Sequence, residues 1–260
     1  GETSHACMPG CLIKCSNVYV DDTGRELVSP LEYETIGLLG TNCGLTDPDD
    51  VARLNETAND LGVDSIELGA TIAVLMEAGE GAFGDLPFMQ ACLAEIRSGS
   101  EKGQLYASGT ARVGTALKVS RVPVIKKQAI SAYDPRVVEV TGISMMLTAQ
   151  GADHTVGNAP SFKCDDKSIA ELVAESLRMQ INSAVADSFG LCVFGRSVTD
   201  DNLKLIADAI NDAFDAGVDP EFIRHIAFET LRLEAACNKA AGFAEDDDEV
   251  PAFVTGEPLP

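Results

Sequence analysis

The helical fold is decided in the stretch Asp47-Pro-Asp-Asp-Val-Ala-Arg-Leu-Asn-Glu-Thr-Ala-Asn-Asp-Leu-Gly-Val-Asp-Ser-Ile66. Its first aspartate is a strong N-cap and Pro48 lies in the first turn, so a helix is predicted to begin here. The helix is predicted to stop at Gly62, because glycine readily takes the left-handed conformation that ends helices. Asp64 or Ser65 then caps a second predicted helix, so this stretch predicts two successive helices.

The remaining chain is predicted to be mainly α, with a short hairpin near the N-terminus. Asn17–Val28 predicts that hairpin, with its turn at Asp22–Gly24. Lys118–Arg136 is extended, basic and holds two prolines, so we expect it to connect two helical halves. The predicted domains are therefore residues 1–125 and 126–260. The further helices are predicted at 66–78, 86–97, 104–119, 138–148, 168–186, 200–216 and 220–240.

Composition limits the function classes. The chain has 260 residues, 45% hydrophobic and only 5% aromatic, with no Trp, a mix that favours packed helices over a β-sandwich. Its formal net charge of −22 repels nucleic acid and anionic membranes. No apolar run is long enough to span a membrane. The acidic tail from Gly242 is expected to run along the surface.

Three cysteines lie close together near the start, at Cys7, Cys11 and Cys15, and Cys192 lies far along the chain. A cluster of three thiolates plus a distant one is an arrangement that holds an iron–sulfur cluster. A structural zinc site and simple free thiols are the alternatives, and spacing leaves all three open.

The other four cysteines are scattered in apolar or helical surroundings. We expect buried free thiols there, because a free cysteine packs as a small hydrophobe. They are Cys43, Cys92, Cys164 and Cys237.

Two glycine turns share one pattern. Asn59–Asp64 and Asp187–Cys192 each have a short polar residue, two further residues, Gly, an aliphatic residue and then Asp or Cys. Each follows a predicted helix, so each is a helix C-cap when taken alone. Taken together, they are candidates for two matching contacts on one ligand.

Two further positions are candidates for chemistry. Glu32-Tyr-Glu-Thr35 places two carboxylates near the cysteines, and a solvated strand or helix edge is the alternative interpretation. His154 lies in a glycine-rich loop, where functional residues are often placed, and an ordinary surface histidine is the alternative.

The ordered set of motifs resembles the aldehyde:ferredoxin oxidoreductases, which are tungstopterin enzymes. The resemblance covers essentially the whole chain and implies domains 2 and 3 of such an enzyme, both mostly helical. The resemblance also implies that the family's β-rich N-terminal domain is missing from this chain, which begins Gly-Glu-Thr rather than with Met. The motifs after the cysteines are Glu32–Gly44, Asn59–Gly69, Ala132–Arg136, Gly151–His154, Asp187–Cys192 and Ala241–Phe243.

The resemblance implies cofactor-binding residues. Cys7, Cys11, Cys15 and Cys192 would bind one [4Fe–4S] cluster. The two glycine turns would contact the two pterins of a tungsten or molybdenum bis-pterin, whose N–H donors need acceptors. The implied pterin contacts are Asn59, Gly62, Val63, Asp64, Asp187, Gly190 and Leu191.

The resemblance also implies catalytic residues. Glu34 would accept a proton as water or hydroxide attacks the aldehyde carbon, with Tyr33 as its neighbour at the site. His154 would hydrogen-bond the substrate carbonyl or an oxygen on tungsten.

Three departures from the family pattern stand out. Cys7 and Cys11 are separated by three residues rather than the usual two. Asn59 stands where some relatives have Asp, so its side chain offers an amide rather than a carboxylate. Some members hold a metal between subunits with a Glu-x-x-His pair, and no such metal is predicted for this chain.

The implied function is oxidation of aldehydes to carboxylic acids, with electrons passing through the cluster to ferredoxin. A cytoplasmic enzyme is expected, the resemblance allows a homodimer, and this chain alone is predicted to be inactive. One alternative is a reductive subunit of the same family acting on an aromatic acyl-CoA. Another is a non-catalytic helical module with a structural metal.

Overall fold

The computed structural model describes residues 1–259 and is mostly helical, which confirms the mainly α prediction. It divides into two compact units. The first comprises Gly1–Ala132 together with Pro251–Glu257, and the second comprises Tyr133–Val250 with residues 258–259. The predicted boundary at 125/126 lies near this division without coinciding with it, and the assignment of domains stays a prediction.

A small antiparallel sheet opens the first unit, in the order β1-β2-β3. The hairpin prediction is confirmed by strands β2 (Ser16–Val20) and β3 (Glu26–Val28). Its turn is closed by the carboxylate of Asp21, which accepts hydrogen bonds from the N–H and hydroxyl of Thr23. Strand β1 (Glu2–His5) was not predicted, because four mostly exposed residues carry no apolar alternation. A second two-stranded hairpin pairs β4 (Val124–Ile125) with β5 (Gln128–Ala129).

Six helices build the first unit before residue 120. The N-cap and stop predictions for the helix after Asp47 are confirmed: the Asp47 side chain accepts the Asp49 N–H, and Gly62 ends the helix with φ +70°. The helices are α1 (Tyr33–Thr35), α2 (Pro48–Leu61), α3 (Ser65–Glu77), α4 (Leu86–Ser98), α5 (Glu101–Tyr106) and α6 (Thr110–Leu117).

The single helix predicted at 104–119 is wrong. The structure has two short helices there, α5 and α6, separated at Gly109, where φ is +91°. A Cβ at this position would come within 3.0 Å of Glu67 Oε1. The break therefore lets the start of α6 reach Glu67, a contact between distant residues that helical periodicity does not contain.

Helix α3 is the centre of the first unit. Its side chains Ile72 and Leu75 are fully buried, and they share one apolar core with Val51, Met89 and other residues of α2 and α4. Burial of a Leu or Ile side chain contributes about 1.5–3 kcal/mol, so this face of α3 fixes how the surrounding helices pack.

The second unit is built from longer helices. Ser168 and Glu171 form a reciprocal capping box at the start of α8, which explains why the predicted start at Ser168 is accurate. Helices α8 and α11 pack together, with Val185, Ile206 and Ile223 among the buried residues of their core. The helices are α7 (Glu139–Leu147), α8 (Ile169–Ser188), α9 (Arg196–Thr199), α10 (Leu203–Phe214) and α11 (Pro220–Ala241).

The tail does more than run along the surface. Helix α12 (Ala252–Gly256) belongs to the first unit. The Arg121 guanidinium donates two hydrogen bonds of 2.9 Å to the Glu257 carboxylate and lies 5.1 Å from the centre of the Phe253 ring. A bidentate ion pair and a cation–π contact therefore hold the tail on this unit.

Two of the four buried-thiol predictions are wrong. Cys43 and Cys92 are buried as expected, whereas Cys164 is half-buried and Cys237 is exposed on α11. A residue on a helix can point into the core or toward solvent, and the packing of the helix decides between the two. Within residues 1–259, every helix is too short or too polar to traverse a bilayer.

Candidate functional site

Glu34 and Tyr33 both bond to the backbone of Ala132. Glu34 is buried, at 8% exposure, and its Oε2 accepts the Ala132 N–H at 2.8 Å. The Tyr33 hydroxyl donates to the Ala132 carbonyl oxygen at 2.9 Å while its ring remains 57% exposed. Both predicted catalytic residues of the first unit are thus held by the backbone of Ala132, which lies 98 residues after Glu34 and 99 after Tyr33.

The backbone around Glu34 is unusual. Helix α1 continues into a π-helical turn over Ile36–Gly40, a geometry that occurs frequently at functional sites. A Cβ on Gly37 would lie 2.8 Å from the Ala132 Cβ, and one on Gly69 would lie 2.5 Å from the Leu38 carbonyl carbon. Both glycines are required for close approach, so the π-helical turn is pressed against the Ala132 segment and α3.

The first predicted pterin turn follows α2. The Gly62 N–H donates to the Asn59 carbonyl and the Val63 N–H to the Ala58 carbonyl, both at 3.1 Å. These two bonds form a Schellman motif. Asp64 then accepts the Glu67 N–H at 2.6 Å and caps α3. The side chains of Asn59 and Asp64 are exposed, so the turn presents an amide and a carboxylate to the outside of the unit.

Three side chains, Thr35, Ser65 and Glu67, tie this turn to its surroundings through contacts that the sequence did not predict. The hydroxyls of Thr35 and Ser65 lie 2.8 Å apart and join α1 to the first turn of α3. The Glu67 carboxylate accepts the Thr110 N–H at 2.6 Å with one oxygen and the Ala129 N–H at 2.9 Å with the other. No local signal marks these contacts, because the partners are far apart in the sequence.

The second predicted pterin turn has the same backbone geometry as the first. The Leu191 N–H donates to the Ala186 carbonyl at 2.7 Å, as Val63 does to Ala58 in the first turn. Gly190 takes φ +64°. The pattern match found in the sequence therefore corresponds to one Schellman turn in each unit. The turns differ at their ends, since Asp64 caps a long helix while Cys192 precedes a single 3₁₀ turn.

Carboxylates gather around the second turn. The pKa of Asp187 is raised from its ordinary value, first by desolvation and then by the charge of Asp153. The pKa of Glu234, on α11, is also raised, first by desolvation and then by Asp187. Glu234 was missed by the sequence analysis, because nothing local separates it from the other acidic residues of its helix.

His154 lies on a loop that is anchored at both ends. Asn238 donates to the Ala149 carbonyl at 2.6 Å, and Ser144 donates to the Gly157 carbonyl at 3.0 Å. The imidazole stacks on the ring of Tyr133, with ring centres 5.3 Å apart. The structure therefore gives His154 a defined place in the second unit, near the carboxylate of Asp153.

The four predicted cluster ligands are accessible thiols. Cys7 and Cys15 are exposed and Cys11 is half-buried, all on the loop between β1 and β2 of the first unit. Cys192 is exposed in the second unit. Among residues 1–259, no three His, Cys, Asp or Glu side chains are grouped as a metal site. Their role as ligands stays a prediction.

The sequence profile described as aldehyde ferredoxin oxidoreductase, domains 2 and 3, matches residues 2–260. The chain belongs to the aldehyde ferredoxin oxidoreductase family. This confirms both the family resemblance and the fold class that it implied.

Relatives of this aldehyde ferredoxin oxidoreductase family member span much longer chains. The tungsten-containing aldehyde ferredoxin oxidoreductase of Pyrococcus horikoshii is 28% identical across 96% of this chain, and that of Pyrococcus furiosus is 27% identical. An aliphatic sulfonate oxidoreductase, WOR-like subunit, of Pyrococcus furiosus is 26% identical. The chain covers 45% of the first two proteins and 42% of the third.

A solved structure shares the fold. The active-site complex BamBC of benzoyl coenzyme A reductase, solved with 1,5-dienoyl-CoA, aligns with a TM-score of 0.74 at 14% identity. The alignment covers 100% of this chain and 48% of that one. At this identity the likeness supports the fold of the aldehyde ferredoxin oxidoreductase family member and leaves its chemistry open.

Proposed function

We propose that this chain is part of a tungsten bis-pterin oxidoreductase that oxidises an aldehyde to a carboxylic acid and passes electrons through a [4Fe–4S] cluster to ferredoxin. The observation that carries the proposal is the pair of matching Schellman turns, Asn59–Asp64 and Asp187–Cys192, in a chain of this family. Two curated relatives are named as tungsten-containing aldehyde ferredoxin oxidoreductases. The chemistry also suits molybdenum, which remains the alternative metal.

The residues of both turns fit a pterin. Pterin rings carry amino and ring N–H donors, and the turns offer the carboxylates of Asp64 and Asp187 and the amide oxygen of Asn59 as acceptors. Desolvation and the charge of Asp153 both raise the pKa of the Asp187 carboxyl, so they disfavour its charged form. An N–H donor from a ligand would favour the charged form.

The cysteines fit an iron–sulfur cluster by their donor chemistry. Thiolates are the ligands of [4Fe–4S] clusters, and the thiols of Cys7, Cys11, Cys15 and Cys192 are all at least partly accessible. Gly10, between the first two of these cysteines, takes φ +79° and lets the loop turn sharply.

The chain's own residues would manage the substrate and its protons. When bound, the pterin-held metal and the cluster would accept and relay the two electrons that leave as aldehyde and water become acid and two protons. Glu34, buried and oriented by the Ala132 N–H, would take a proton from the attacking water. His154 would donate a hydrogen bond to the substrate carbonyl oxygen, and the exposed ring of Tyr33 would border the substrate.

Metal analysis tests the cluster. Anaerobically prepared protein is assayed for iron and acid-labile sulfide as wild type, Cys192→Ala and Cys237→Ala, the last being a matched exposed cysteine outside the proposed set. We expect Cys192→Ala to lose cluster iron and Cys237→Ala to keep it. A full complement of iron in Cys192→Ala would refute the cluster assignment.

Aldehyde-dependent dye reduction tests the reaction in the native protein that contains this chain. Glu34→Gln should lower kcat by about 10²–10⁴-fold, the usual size of a general-base contribution. Unchanged turnover in Glu34→Gln would remove Glu34 from the mechanism.

The substrate class has competitors. A relative named as an aliphatic sulfonate oxidoreductase shows that aldehydes are not the only substrates named among similar proteins. The reductive alternative, a subunit acting on an aromatic acyl-CoA, is separated by assaying an aromatic thioester beside the aldehydes. A non-catalytic helical module with a structural metal would turn over neither. Ferredoxin as acceptor, cytoplasmic location and a homodimer stay predictions.

A further inference from the structure

The Ala132-Tyr-Asp-Pro-Arg136 motif has an orderly local structure. Asp134 accepts the Arg136 backbone N–H at 2.9 Å and a guanidinium N–H at 2.6 Å, and this bonding lowers the pKa of the Asp134 carboxyl. Pro135 lies against α7, where a Cβ on Gly142 would come within 2.7 Å of the Pro135 Cβ. The turn that follows Tyr133 is thus braced by an ion pair and by close packing.

Tyr133 contacts His154 through its ring. The ring centres are 5.3 Å apart and the planes are inclined by 27°, which is within the range of stacked aromatic pairs. Both residues are half-buried and belong to the second unit. The stack therefore restrains the plane of the imidazole from one face.

The Asp153 carboxylate, the charged neighbour of His154, restrains the orientation of the imidazole less than the Tyr133 ring does. His154 Nδ1 lies 3.6 Å from Asp153 Oδ1, beyond hydrogen-bond distance. The Asp153 oxygens instead accept the N–H and hydroxyl of Thr155, both at 2.8 Å, which shapes the loop. Asp153 therefore orders the loop backbone, and the Tyr133 ring acts on the imidazole itself.

We propose that Tyr133 is a positioning residue that holds the His154 imidazole in its working orientation. The inference rests on the proposed function, in which His154 contacts the substrate. The preceding residue, Ala132, bonds to Glu34 through its N–H within the first unit.

The test compares Tyr133→Phe, which keeps an aromatic ring, with Tyr133→Leu, which removes it. Phe228→Leu, an exposed aromatic position elsewhere in the same unit, is the matched control. The first readout is NMR of the full chain, whose three histidines give a simple imidazole spectrum. We expect a ring–ring NOE between Tyr133 and His154 in wild type. Tyr133→Leu should shift the His154 resonances, and the other two variants should leave them in place.

The second readout is turnover of the native protein that contains this chain. Tyr133→Leu should lower kcat about 2- to 10-fold with little change in KM, as expected for loss of one aromatic contact, and Tyr133→Phe should restore it. The NOE in wild type needs no substitution, so a variant that fails to fold leaves the test standing.

Three results would overturn the inference: no NOE in wild type, equal effects of Phe and Leu, or a shifted His154 without any change in kcat. The last would leave the proposed function intact and make the stack purely structural. Wild-type protein without turnover would overturn the proposed function and the catalytic role of the stack together. The NOE between Tyr133 and His154 would then show only that the two rings are stacked.

Discussion

The hydroxyls of Thr35 and Ser65 lie 2.8 Å apart and join the helix that carries Glu34 to the helix that follows the Asn59–Asp64 turn. Thr35 is buried, so its hydroxyl needs this partner. One hydrogen bond therefore links the proposed proton acceptor to the proposed pterin contact, and a change at one is expected to be felt at the other.

That link can be measured with a double-mutant cycle. Thr35→Val and Ser65→Ala should each lower the free energy of unfolding by about 1–2 kcal/mol, with a coupling of about 1 kcal/mol between them. Urea denaturation of the two single variants and the double variant gives the coupling. Thr115→Val, which removes an exposed hydroxyl bonded within its own helix, should cost less than about 0.5 kcal/mol. Strictly additive effects of Thr35→Val and Ser65→Ala would show that the hydrogen bond contributes no coupling free energy.

Glu67 is expected to be a structural residue of the first unit. Its two oxygens accept the N–H groups of Thr110 and Ala129. Glu67→Gln replaces one acceptor oxygen with an NH₂ group and should cost about 1–3 kcal/mol of unfolding free energy, because one backbone N–H loses its partner. Glu77→Gln, on an exposed position of the same helix, is the control in the same urea titration. Equal stability of the two variants would contradict the bridging role.

Stability should depend on pH through Asp187. Desolvation and Asp153 raise its pKa above the ordinary 3.8, so the folded chain holds this proton more tightly than the unfolded chain. Ionisation of Asp187 therefore lowers the free energy of unfolding as the pH rises above 3.8. Below pH 3.8 the carboxyl is protonated in both states and has no such effect. Asp187→Asn should raise the Tm at pH 7 and leave it unchanged at pH 3.

The matched control for this pH effect is Asp212→Asn on α10, an exposed aspartate. It should leave the Tm unchanged at both pH values in the same thermal scans. A gain for Asp187→Asn that is equally large at pH 3 would assign its effect to something other than charge.

Thiol reactivity should separate the eight cysteines into groups. Burial raises the pKa of Cys43 to about 12 and that of Cys92 to about 11, so neither should react with Ellman's reagent until the chain unfolds. In the metal-free native chain the other six thiols should react.

Reconstitution with iron and sulfide then makes a sharper distinction. Cys7, Cys11, Cys15 and Cys192 should become protected, while Cys164 and Cys237 stay reactive. Mass spectrometry of the alkylated chain identifies each residue. Protection of Cys237 together with loss of protection at Cys192 would contradict the proposed ligand set.

The sequence by itself determined the local elements. Asp47, Gly62 and Asp64 mark helix ends through bonds to backbone groups a few residues away, so the bounds of α2 and the start of α3 could be predicted. The two Schellman turns followed from the same local chemistry, because a glycine in the left-handed conformation needs no distant partner. The ordered motifs also identified the family.

Only the tertiary structure decided what those elements contact. The break at Gly109 and the bonds of Thr35, Glu67 and Glu34 all depend on partners many residues away. The exposure of Cys237 depends on which face of its helix packs against the rest of the unit. Contacts of this kind arise from the way helices pack against each other. The helical period in a sequence shows which residues share a face, but it does not show which other element that face contacts. The stack of Tyr133 on His154 is of the same kind, since it joins a braced turn to a loop that no local pattern connects.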